Sequence, residues 1–185
     1  MIPTVMAFSR YFVALLFGGA VAVSFAGMIR TRKNYLVFGS FTVFLFILQV
    51  ISLRLWGMGT TLKLYPLMSH LPVVFFIAFY LKQSWRISFT SMFASFLCCQ
   101  PPRWIGTAAG ALTDSVSMDH AGYIVTAFIM YYFLRKYTVV SVRHLMERSA
   151  KSCLLFGAMP ALYYLFDYGA TVYTGFLYSG ARVAV

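Results

Sequence analysis

Acidic side chains are almost missing from this sequence: Asp114, Asp119, Glu147 and Asp167 are the four carboxylates of a 185-residue chain. Charge of either sign is scarce, 10% of the residues, where soluble domains carry roughly a quarter. With 61% of the residues hydrophobic, no water-soluble interior of this size could hold the apolar surface, and the composition predicts an all-α, polytopic membrane helical bundle. Catalytic signatures are absent too. No HExxH, Walker-type phosphate loop or GxSxG elbow occurs, which removes the metalloprotease, NTPase and hydrolase classes. Cys98, Cys99 and Cys153 form no CxxC pair, and adjacent cysteines seldom bridge each other. His144 lacks the soluble ATP-binding region that phosphotransfer would need, and Cys98 or Cys99 beside His70 or His120 reads as packing rather than as a nucleophile pair. The chain is therefore read as non-enzymatic, with no metal and no cofactor.

Positive charge and long apolar runs are what the sequence does have. Lys and Arg number 15, and in a membrane protein such an excess orients helices and meets anionic lipid rather than nucleic acid. A span needs about 20 mostly apolar residues. Six runs qualify: 11–29, 35–53, 64–81, 87–112, 117–134 and 153–174. The first is long enough to cross and is followed by Arg30, Arg32 and Lys33, so it is read as a helix and not as a cleavable signal. Pro66, His70 and Pro72 predict a kink in the third run, and Gln100-Pro101-Pro102-Arg103-Trp104 predicts a bend in the fourth. Beyond 174 the chain stops at Ala181-Arg182-Val183-Ala184-Val185 without a polar tail, as a sequence truncated at its C-terminus would.

The loops after the first, third and fifth runs hold 10 of the 15 basic residues. The positive-inside bias then puts those loops in the cytoplasm and the N-terminus and Val185 outside. The stretch 138–152 is expected to be an amphipathic cytoplasmic linker, because Val139, Val142, Leu145 and Met146 recur at helical spacing. Glu147 and Lys151 stand at i,i+4 in the favourable order for an ion pair.

With that orientation Gln49, His70, Gln100, Arg103, Asp119, His120 and Asp167 all fall in the outer half of their runs, whose inner halves are nearly free of ionisable groups. Polar groups in a bilayer are expensive, so these seven are the candidate ligand-binding residues of an outward-open pocket, with Trp56, Trp104, Tyr123, Tyr163, Tyr164 and Tyr168 around them. Each has a plainer reading. Asp119 is also placed as a helix N-terminal carboxylate, Arg103 as a snorkelling anchor and His70 as a bundle residue hydrogen-bonded to a neighbouring backbone. Asp167, flanked by Phe166 and Tyr168, needs a cation, and Arg103, Arg54 and His70 are the candidates.

Three stretches carry a resemblance. They are Leu97-Cys98-Cys99-Gln100-Pro101-Pro102-Arg103-Trp104-Ile105-Gly106, the linker from Arg135-Lys136-Tyr137 to Arg143-His144-Leu145-Met146-Glu147-Arg148, and Tyr163-Tyr164-Leu165-Phe166-Asp167-Tyr168. Together they resemble the N-terminal membrane region of Firmicute sensor histidine kinases of the GHKL-ATPase type, the class that includes quorum-peptide receptors. The likeness covers most of the chain and none of that family's catalytic motifs. It implies a receptor in the bacterial plasma membrane that binds an extracytoplasmic ligand and repacks its helices, and a cytoplasmic kinase region through which it would homodimerise. With Val185 outside, one more span beginning near Arg182 would be needed to reach that kinase.

The competing class is a substrate-binding subunit of an energy-coupling-factor vitamin transporter, which this chain resembles in length and hydrophobicity. In that family both termini lie in the cytoplasm, so topology separates the two. A purely structural partner subunit is a third reading.

Overall fold

The computed structural model describes residues 2–174; Met1 and the tail 175–185, with Arg182 and Val185, lie outside the described residues. The described residues form eight α-helices and no strand. These are α1 (Ile2–Phe25), α2 (Arg32–Tyr65), α3 (Leu71–Phe75), α4 (Trp85–Cys98), α5 (Gln100–Thr113), α6 (Val116–Phe133), α7 (Val139–Arg148) and α8 (Ala150–Asp167). Wide π-helical turns at Pro66–His70 and Phe76–Tyr80 flank α3, a third at Leu134–Thr138 joins α6 to α7, and a fourth at Tyr168–Tyr173 extends α8.

Two runs, Phe8–Phe25 and Arg32–Tyr80, are long and apolar enough to cross a membrane by length and composition. The second is not one rod. Gly57 has φ 73° and ψ 175°, a backbone region that only glycine enters cheaply, and the chain reverses there. Side chains on its two sides meet in nested pairs. Ser52 and Thr61 hydroxyls are 3.1 Å apart, the Gln49 amide donates to Ser69 Oγ, Phe38 and Phe76 rings lie 6.1 Å apart, and Tyr80 Oη donates to Asn34 Oδ1 at 2.9 Å. In a straight helix Gln49 and Ser69 would be about 30 Å apart. Residues 32–56 and 58–80 are thus the two legs of an antiparallel hairpin. Its base is fixed by Thr31, whose Oγ1 accepts from Asn34 N at 3.2 Å as N-cap of α2.

The other boundaries have equally local causes. Ser84 and Ser149 cap α4 and α8 by accepting from Ile87 N and Ser152 N. The Gln100-Pro101-Pro102 sequence starts α5 directly after Cys99, because proline lacks the N–H that a continuing helix would bond. Asp114, at φ 47°, ends α5 in the left-handed conformation. Ser149 at φ −159° separates Glu147 from Lys151, so the i,i+4 pair expected between them does not form, and Glu147 instead accepts from Arg143 Nε at 2.8 Å. α7 buries Val139, Val142 and Met146 against Phe17, Val21 and Phe25 of α1 and leaves Leu145 40% exposed.

Helix α1 lies at the centre, against the hairpin on one side and α4, α6 and α7 on the other. Close approach is achieved with small residues. A Cβ on Gly19 would stand 3.1 Å from the Phe38 ring, and one on Gly157 of α8 would stand 2.7 Å from Thr90 Oγ1 of α4. A Cβ on Gly106 would stand 2.8 Å from the Asp119 carbonyl, which holds α5 tightly on α6.

A mainly apolar interior also holds polar side chains. Ser52, Ser69, Ser88, Ser91, Ser95 and Gln100 are buried. The exterior carries apolar stripes at helical spacing: Phe44, Ile47, Ile51 and Leu55 on α2; Val125, Phe128, Ile129 and Tyr132 on α6; Leu155, Met159, Leu162 and Phe166 on α8, with Met159 75% exposed.

Candidate functional site

At the end of the bundle that carries the Gly57 reversal, the start of α1 meets α5, α6 and α8 around a cavity of about 530 Å³. Its polar wall is made by Arg10, Lys63, Gln100, Arg103, His120 and Asp167, and its apolar wall by Tyr11, Phe96, Tyr123 and Tyr168 among others. A volume of this size falls within the ~300–1,000 Å³ of small-molecule sites.

Arg10 organises one side. Its Nη1 donates to Asp119 Oδ2 and lies 3.1 Å from His120 Nδ1, while its guanidinium carbon sits 4.9 Å from the centre of the Tyr123 ring. An arginine N–H can only donate, so His120 Nδ1 is the acceptor in this contact. Asp119 stands in the first turn of α6 and therefore also faces the positive end of that helix. Its other oxygen, Oδ1, is buried without a hydrogen-bond partner among the described residues. Across the cavity, Arg103 Nη1 lies 3.9 Å from Asp167 Oδ2. Of Arg103, Arg54 and His70, Arg103 is the one that stands within ion-pair distance of Asp167 among the described residues.

The charges do not cancel. Arg10, Lys63 and Arg103 face Asp119 and Asp167, and Lys63 forms no ion pair with a carboxylate among the described residues. Counting the described residues alone, these three cations and two carboxylates leave one positive charge in excess, between aromatic walls. Such a site suits an amphipathic molecule with an acidic group.

A smaller cavity of about 120 Å³ lies deeper and shares Phe96, Cys99 and Tyr123 with the first. His70 lines it, with Nδ1 2.9 Å from Tyr164 Oη and ring centres 5.0 Å from Tyr65, 5.6 Å from Phe96 and 5.9 Å from Tyr168. His70 is thus partnered at the floor of the site by the side chain of Tyr164, where the plainer reading expects a neighbouring backbone.

Of the seven residues singled out from sequence, Gln100, Arg103, His120 and Asp167 line the large cavity, and Asp119 is bound to its Arg10. His70 lies below them, and Gln49 faces the other leg of the hairpin, where its amide is committed to Ser69. Trp56 and Trp104 line neither cavity and are exposed, 54% and 60%. Arg10, Tyr11 and Lys63 complete the site without having been singled out, since each sits at the end of an apolar run where a basic or aromatic residue looks like an interfacial anchor. Cys98 and Cys99 are unbridged, Cys153 Sγ donates to Thr90 Oγ1, and no group of three His, Cys, Asp or Glu side chains among the described residues could hold a metal ion. Comparison with known proteins finds no matching family model, no matching curated protein and no matching solved structure, so the site is argued from its own geometry.

Proposed function

We propose that this chain is the membrane-embedded sensor module of a bacterial two-component histidine kinase, with the Arg10–Asp167 cavity as an extracytoplasmic site for an acidic amphipathic signal. Six crossings would be α1, the two hairpin legs, α4 with α5, α6, and α8. The observation that supports the membrane reading is the exterior: leucine, phenylalanine and methionine stripes at helical spacing face outward, an arrangement that is favourable against lipid and costly against water. The polar groups also separate to two ends. Arg10 marks one and the turn after Phe25 the other, about 22 Å along α1.

Signal transfer follows from connectivity. An incoming anion competes with Asp119 and Asp167 for Arg10 and Arg103, and the two carboxylates sit on α6 and α8. Helix α6 runs without a loop through Leu134–Thr138 into α7 at the opposite end. A small shift of α6 at Asp119 therefore moves α7, which a cytoplasmic kinase region could read. The chain itself supplies binding and repacking, and the chemistry belongs to that region.

A substrate-binding transport subunit is supported by the same cavity, and the side of the N-terminus discriminates: outside for the sensor, cytoplasmic for the transporter. Reading the gene in frame past codon 185 tests the sensor assignment. One further apolar run followed by a phosphoacceptor histidine and ATP-binding motifs is the expected result; a stop codon directly after Val185 would contradict it.

A further inference from the structure

The opposite end of the bundle holds a second polar cavity, of about 290 Å³, beneath the α1–α2 turn. Arg30, Arg135, Arg143 and His144 line it together with a single carboxylate, Glu147, which is taken up by Arg143 Nε. Neither Arg30 nor Arg135 forms an ion pair with a carboxylate among the described residues. Lys136 turns away from the cavity, lying over the rings of Tyr132 and Tyr137. The turn is shaped to this arginine cluster. Gly27 is at φ 82°, and a Cβ there would stand 2.8 Å from the Arg143 guanidinium.

This basic cavity is not closed above. Met28, Tyr35 and Tyr131 also border an apolar groove of about 280 Å³ that runs between α1, α2 and α6 past Leu16, Ala20, Phe38 and Phe128. Along α1 the groove extends from Val13 to Val23, about 15 Å at 1.5 Å per residue. That is the depth of one leaflet of a hydrocarbon core about 30 Å thick. An apolar slot of leaflet depth that opens onto uncompensated guanidiniums matches one chemistry, an acyl chain joined to a phosphate.

We propose that this slot binds one anionic glycerophospholipid, with an acyl chain against Ala20, Phe38 and Gly39 and the phosphate between Arg30, Arg135 and Arg143. The site rests on the membrane reading above, since it places the basic cavity at the cytoplasmic surface, where anionic headgroups are recognised by basic pockets between helices. It is separate from the ligand cavity at the other end. Bound there, the lipid bridges α1, α2 and α6 and touches the arginine of α7, so anionic lipid content would set the resting position of the same α6–α7 connection.

The test reconstitutes the protein in nanodiscs of equal phosphatidylglycerol and phosphatidylcholine and reads retained lipid by native mass spectrometry. One phosphatidylglycerol retained about tenfold over phosphatidylcholine is expected, with the preference lost in the Arg30→Gln/Arg135→Gln double variant and reduced in Arg30→Gln alone. Gly39→Leu serves as the second variant. Gly39 lines the groove and a Cβ there meets nothing within 4 Å, so a leucine side chain has room to enter the groove and should lower retention with all arginines intact. Equal retention of the two lipids, or a preference untouched by either variant, would overturn the proposal. Glycerol phosphate displacing the bound lipid as well as phosphatidylglycerol does would overturn the acyl half of it. Extraction of the protein from vesicles by carbonate would overturn the membrane reading and this inference together, whereas integral protein without lipid preference sinks this inference only.

Discussion

Arg10 and Asp119 are 109 residues apart in sequence and form one part-buried ion pair that ties the first helix to α6 beside the ligand cavity. Removing either partner leaves the other charge uncompensated, and for Asp119 the burden is larger because Oδ1 has no other hydrogen bond among the described residues. Arg10→Gln is expected to cost on the order of 3 kcal/mol, and the double variant Arg10→Gln/Asp119→Asn to recover most of that loss. Thermal unfolding of the two single variants and the double in detergent checks it; additive losses would show that the pair is not coupled.

The Arg103–Asp167 contact is longer, 3.9 Å, and Arg103 is 48% exposed. Arg103→Gln should therefore cost less than about 1 kcal/mol of stability, yet, on the proposed function, abolish the response to an acidic ligand. A loss as large as that of Arg10→Gln would mark Arg103 as structural, and an unchanged response would remove it from the site.

Gly57 and Gly59 make a matched pair, because a Cβ at either meets nothing within 4 Å. Only Gly57 needs a positive φ. Gly57→Ala is expected to destabilise the hairpin by about 1–3 kcal/mol through backbone strain alone, while Gly59→Ala stays near wild type. Equal effects in unfolding measurements would contradict a reversal at residue 57.

At the α4–α8 contact, Gly157→Ala places a methyl group 2.7 Å from Thr90 Oγ1. The expected cost is about 1–3 kcal/mol, and Thr90→Ala should relieve it by removing the opposing atoms. Failure of that second substitution to restore the melting temperature would mean that the helices do not meet at this point.

The all-α class is legible from composition and run length, whereas α2, α4 and α8 start at Arg32, Trp85 and Ala150, ahead of the expected 35, 87 and 153, because the hydroxyls of Thr31, Ser84 and Ser149 cap them. Pairing was harder to read. Gln49 matches Gln100 in polarity and depth, but only the packing of the two hairpin legs decides that its amide faces Ser69 and not the cavity. The stretch 54–63, between the expected runs 35–53 and 64–81, is helical on both sides of Gly57, since one residue at positive φ suffices to reverse the chain. Arg10 carries no periodic signal at all; its role depends on a partner that the sequence places in a different helix. Lys151 was a reasonable partner for Glu147 by spacing, and the break at Ser149 is what denies it.

On the proposed function the Arg10–Asp167 cavity opens to the outside of a membrane bundle and the arginine cavity to the cytoplasm. Thiol labelling of intact cells tests it most directly, with single cysteines at Gly59 beside the first cavity and at His144 beside the second, in a chain with Cys98, Cys99 and Cys153 replaced by serine. An impermeant maleimide is predicted to label position 59 in intact cells and position 144 only after permeabilisation. The reverse pattern would invert the topology and place the ligand cavity in the cytoplasm, and labelling of neither or both positions in intact cells would contradict the spanning arrangement itself.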